Sequence, residues 1–101
     1  MWISKKKYDE LINEREVWRE LIKALWSDHI MYVHRESLQN ISNADYFNND
    51  KDLAYRFNRT NRSSLNRYVD LLEENNVFDN ETCNNERRHI ERIFKTLCGG
   101  N

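Results

Sequence analysis

Four arginines, Arg56, Arg59, Arg62 and Arg67, fall in a window from Arg56 to Val69 that holds no Asp or Glu. Thr60, Ser63, Ser64 and Asn66 lie among them. A guanidinium bridges guanine edges or phosphate oxygens, a carboxamide bridges adenine edges, and hydroxyls bond phosphate. Arg56, Arg59, Thr60, Arg62, Ser63, Asn66 and Arg67 are therefore candidate nucleic-acid-binding residues, with double-stranded DNA the partner they suit. The chemistry they support is binding, not bond-making. A polar, arginine-bearing helix face that is simply solvated has the same composition, and that alternative stays open.

Other chemistries find less. There is no Gly-rich phosphate loop, nucleophile motif or carboxylate pair set for acid–base work, so no catalytic residue is assigned and no enzyme is expected. His29, His34 and His89 with Cys83 and Cys98 lack zinc-ligand or Cys-x-x-Cys spacing, so no metal and no cofactor is expected. His29 falls on an apolar stripe, where a core or interface role is the simpler reading.

The elements that must position the arginines are helices. The chain of 101 residues has no Pro and two Gly, both near its C-terminus. It also carries three Trp, five Tyr and four Phe, enough apolar bulk for one small core. Ser4 is placed to cap a long helix over 4–38, in which Tyr8, Leu11, Trp18, Ile22, Leu25, His29 and Tyr32 recur at three- and four-residue steps. Residues 40–50, rich in Asn and Asp, read as a connector. A short helix over 51–57 follows, then a polar turn at 58–61 with Thr60 or Asn61 as the next N-cap. A third helix buries Leu65, Val69 and Leu72 and ends at Asn75-Asn76, residues that tolerate the left-handed conformation. A fourth, over 85–98, carries Ile90, Ile93, Phe94 and Leu97, with Gly99 as its stop. The expected fold is all-α: a single four-helix domain with a helix-turn-helix-like pair over 51–76.

Formal net charge is -1, so this is no generally basic nucleic-acid coater, and a short footprint is expected. No apolar run has membrane-spanning length, the opening MWISKKKYDEL lacks a secretory h-region, and the two cysteines form no disulfide framework. A cytoplasmic location with free thiols is the expectation.

Leu53-Ala54, Ser63-Ser64-Leu65, Arg67, Val69-Asp70, Leu72-Glu73-Glu74 and Val77-Phe78 resemble the helix-turn-helix core of winged-helix regulators of the MarR type. The resemblance covers residues 53–78 and implies a DNA-reading helix, with a homodimer built by the N- and C-terminal helices. Asn76 stands at that family's usual Gly, and residues 79–85 offer no β-alternation, so no wing is expected. The opening is similar to small proteins of Gram-positive bacteriophages and mobile elements.

A different class of partner is a host protein or nucleoprotein complex, bound by an inhibitor of the anti-CRISPR or other anti-defence type. Trp2, Tyr46 and Phe47 lie outside the regular stripes and are the candidate protein-interface anchors. Trp18 and Trp26, at helical spacing, are expected in the core.

Overall fold

The computed structural model describes residues 4–46 and 51–99, and among these it is all-helical, with three helices and no strand. They are α1 (Lys5–Tyr46), α2 (Lys51–Glu74) and α3 (Asn80–Phe94). Their extents of 66 × 21 × 19 Å are set by α1, whose 42 residues run about 63 Å at 1.5 Å each.

Ser4 starts α1 as expected. Its hydroxyl accepts from the Lys7 amide at 3.2 Å, and its carbonyl accepts from Tyr8 at 2.9 Å. The helix does not stop near Leu38 but runs on to Tyr46, through much of the Asn-rich segment expected as a connector. Ala44 is buried, Ile41 packs against the core, and the Gln39 amide donates to Asn43 one turn on. Tertiary burial and a side-chain pair outweigh the weak helix propensity of Asn and Ser here.

The largest departure from expectation is α2. Residues 58–61 form no turn, so the short helix and the helix after it are one continuous element, and the domain has three helices, not four. The helix-turn-helix-like pair over 51–76 is accordingly a single rod. The polar residues that suggested a turn have another use. Asn58 is fully buried, with its amide donating to the Ser37 and Leu97 carbonyls at 3.1 and 2.8 Å and its oxygen accepting from Asn40 at 3.0 Å. The Asn61 amide donates to the Ser37 hydroxyl at 3.1 Å. A polar layer thus crosses the α1–α2 seam, and its buried side-chain atoms are all hydrogen-bonded.

The end of α2 follows the sequence reading. Asn76 has φ 56, the Val77 amide bonds the Leu72 carbonyl at 2.9 Å and the Asn76 amide bonds that of Glu73 at 3.1 Å. This is a Schellman motif with Asn in the place of Gly. Three residues later Asp79 caps α3, accepting from the Thr82 amide at 2.7 Å. That cap sets the start of α3 at Asn80, five residues before the position expected from the apolar stripe. Gly99, at φ 88, turns the chain beside the Tyr55 ring, where an added Cβ would lie 3.1 Å from Cδ2.

The core joins Trp26, Ile30 and Val33 of α1, Leu65 and Val69 of α2, Phe78, and Cys83, Ile90, Phe94, Leu97 and Cys98 at the far end of the chain. It occupies only the part of α1 beyond Trp26. Lys5 to Trp18 are exposed throughout, forming an arm with no cover among the described residues.

Candidate functional site on the outer face of the second helix

The row that seats α2 is Ala54, Asn58, Leu65 and Val69, all buried. At 100° per residue, Arg56, Thr60, Ser63 and Arg67 point the opposite way, and all four are exposed. Together with Arg59 and Ser64 they line one shallow depression on the outside of the helix. Five of the seven residues proposed from sequence are thus gathered on one surface. Ser64, which that reading left out of the set, joins them because it stands four residues from Thr60 and eight from Arg56.

Arg62 and Asn66 belong elsewhere. Both are half-buried, on the row that continues to Glu73, the residue bonded to Arg87 of α3. That flank faces α3. Arg59 sits at the margin, donating to the Cys98 carbonyl at 2.9 Å, and so ties the chain's C-terminal turn to α2 while keeping its side chain largely exposed.

Losing the turn also changes what the hydroxyls can do. Thr60 is expected at a helix N-terminus, where unused backbone amides attract anions, but it lies within a continuous helix. In a continuous helix those amides are spent on carbonyls four residues back. The Thr60 hydroxyl itself bonds the Arg56 carbonyl at 3.2 Å. Any anion held here is therefore held by guanidinium and hydroxyl groups, not by a helix terminus.

Charge along α2 divides sharply. Past Val69 come Asp70, Glu73 and Glu74, and Arg87 of α3 reaches Asp70 at 2.8 Å and Glu73 at 2.9 Å. The Arg87 hydrogen bond holds the Glu73 carboxyl below its ordinary value, and Glu73 and Asp70 in turn raise the Arg87 pKa. Asp70 and Glu73 are thereby matched from within the fold. Arg56 and Arg67 make no ion pair with any described residue.

A second surface is apolar. Ile22, Leu25 and His29 of α1 face Tyr68, Leu71 and Leu72 of α2 across an open groove, with His29 edge-on to the Tyr68 ring at 5.5 Å. Trp26 is in the core as expected, its indole N–H donating to Glu86 at 3.1 Å. Trp18 is not: it leaves 57% of its surface exposed. Tyr46, the last residue of α1, is 83% exposed, while Trp2 and Phe47 lie outside the described residues. Among the described residues no group of three His, Cys, Asp or Glu is arranged to hold a metal ion, and no helix is long and apolar enough to cross a membrane. Compared with known proteins, the chain matches no family model, no curated protein and no solved structure.

Proposed function

We propose that this protein is a small helical DNA-binding regulator that docks the outer face of α2 on the phosphate backbone. One observation carries the reading. Arg56, Arg59, Thr60, Ser63, Ser64 and Arg67 share one exposed depression, with no acid between Arg56 and Val69, in a chain of net charge -1. From Arg56 to Arg67 the ridge runs about 16 Å at 1.5 Å per residue. Phosphates on one strand advance about 3.4 Å each, so the ridge spans roughly four or five of them. Its groups suit backbone contact first, with arginines able to reach a groove edge second.

The test is fluorescence anisotropy with a mixed-sequence duplex across a salt series. Binding weakens steeply with salt, and each lost phosphate contact lowers the log–log slope by about 0.9. Arg56→Ala with Arg67→Ala therefore flattens the slope by about 2 while leaving the thermal midpoint unchanged. No binding at low salt, or an unchanged slope in the double variant, overturns the proposal.

The second reading is an inhibitor, of the kind carried by bacteriophages and mobile elements, that binds a host protein or nucleoprotein complex. The breadth of exposed apolar surface supports it: Trp18, Leu25, Tyr32, Tyr46 and Leu71 all lie open, and apolar expanses of this sort mark interaction sites.

A further inference from the structure

The arm of α1 and the groove beside it are two exposed apolar features of one helix, and they match each other. Tyr8, Leu11, Arg15, Trp18, Ile22, Leu25, His29 and Tyr32 alternate three- and four-residue steps without a break, the spacing of a coiled-coil seam. The buried row of α1, Trp26, Ile30, Val33 and Ser37, lies about a quarter-turn away, so the seam is not spent on the core. Its N-terminal half has nothing against it among the described residues, and its C-terminal half forms one wall of the groove whose other wall is Tyr68 and Leu71.

We infer that the occupant is a second copy of this chain, paired antiparallel along α1 so that each arm lies in the other's groove. In this register Tyr8 stands opposite the partner's Tyr32, Leu11 opposite the partner's His29, Arg15 opposite the partner's Leu25 and Trp18 opposite the partner's Ile22. One two-fold contact covers both features at once, as an isologous interface must.

Charge within the seam favours the antiparallel direction. A parallel, in-register pair stacks Arg15 on Arg15 inside the seam. The antiparallel pair separates the two Arg15 by ten residues of helix, about 15 Å, beyond the screening length of about 8–10 Å. The antiparallel arrangement also keeps the two bodies apart. The groove and core of α1 begin near Ile22, so the folded parts sit at opposite ends of the pair.

The area is adequate. Tyr8, Trp18 and Tyr32 leave 57%, 57% and 59% of their surface in water, about 100 Å² apiece at ring-residue areas of 150–250 Å². With Leu11 and Leu25 the seam approaches about 500 Å² per protomer, and Tyr68 and Leu71 bring it toward the roughly 800 Å² per partner of a stable interface. The pairing does not depend on what the outer face of α2 binds.

Sedimentation equilibrium tests it directly. The 101-residue chain is expected at about twice 12.4 kDa, and Trp18→Glu with Leu25→Glu at the monomer mass with unchanged helix content. Both residues are exposed in the single chain, so the folded monomer survives. Mild oxidation settles direction: Leu11→Cys with His29→Cys gives a covalent dimer, whereas Leu11→Cys alone does not. A monomeric wild-type chain at its highest soluble concentration overturns the inference. So does a glutamate variant that still dimerises, or efficient cross-linking by Leu11→Cys alone. If the glutamate pair loses helix signal, the cysteine variants carry the test.

Discussion

Replacing Asn58 by Ala removes three hydrogen bonds from the middle of the molecule: to Ser37, to Leu97 and from Asn40. The three partners are affected unequally. The Ser37 carbonyl, inside α1, keeps its helical bond, and the Asn40 amide is only half-buried and can turn to water. The Leu97 carbonyl lies past the end of α3 in a buried residue, and it is left short of a donor. At about 1 kcal/mol per neutral bond, plus the penalty for a stranded carbonyl and less the better helix propensity of Ala, the net loss is about 3 kcal/mol. A domain of this length has roughly 5–15 kcal/mol in total. Urea unfolding followed by circular dichroism is expected to show a lower midpoint at unchanged slope, and the thermal midpoint is expected to fall by about 12–24 °C. Asn58→Asp is the sharper variant. It sets an acceptor oxygen where the amide faced the Ser37 and Leu97 carbonyls, so its buried carboxyl favours protonation, its folded pKa rises, and stability falls as pH rises above the unfolded carboxyl value near 4. A loss below about 1 kcal/mol for Asn58→Ala would mean that Asn58 is a surface turn residue after all, and would refute the buried layer.

Thr60→Ala separates the same two geometries by sign. At an N-cap the change costs about 1 kcal/mol, but in the exposed interior of a helix Ala is the better former and stability is expected to hold or rise by a few tenths of a kcal/mol. Asp79 and Glu73 both titrate below their ordinary values, Asp79 because the Thr82 amide donates to it and Glu73 because Arg87 does. Their stabilisation is therefore complete above the unfolded carboxylate range near pH 4 and lost as pH falls below it. Asp79→Asn with Glu73→Gln is expected to flatten the thermal midpoint between about pH 2 and pH 4; an acid limb unchanged from wild type would exclude these two groups as its source. Burial pushes both the Cys83 and Cys98 thiols up and closes them to reagent. Labelling with a thiol reagent at pH 8 is expected to track unfolding, and prompt modification of the native chain would show that the C-terminal turn is open.

What was legible in the sequence was whatever depended on local chemistry. Ser4 at the start of α1, the left-handed Asn76 and the burial of Leu65, Val69, Ile90 and Phe94 follow from capping rules and periodicity, and the structure bears them out. The breaks at 40–50 and 58–61 were read from Asn and Ser alone, by their taste for turns. The helical placement of 40–46 and 58–61 depends on partners 18 to 39 residues away in the chain, a relation that no local rule carries. Trp18 fails for a related reason. Helical spacing marks a stripe but not the length of neighbouring helix available to cover it, and α2 and α3 are too short to reach the arm. Arg56, Arg59, Thr60, Ser63 and Arg67 stay together without the turn because their spacing lies within α2, which a continuous helix preserves, whereas Arg62 and Asn66 fall on the flank toward α3.

The three polar or apolar surfaces of this molecule follow from how one core is shared. α2 is held on two flanks, by α1 through Asn58, Asn61 and Leu65 and by α3 through Glu73 and Val69, which leaves a single outward face for the arginines. α1 is held on one flank over part of its length, which leaves an apolar arm and a groove. The arginine face lies on α2 and the seam on α1, and they approach each other at the groove, where Leu71 stands one turn beyond Arg67. An antiparallel α1 pair would carry two arginine faces at opposite ends of a common rod. Such a pair has a spacing fixed by α1 and not by a flexible linker, so duplex affinity that depends strongly on the separation of two binding segments is the signature that would join the two proposals. Equal affinity for one segment and for two would show that they act separately.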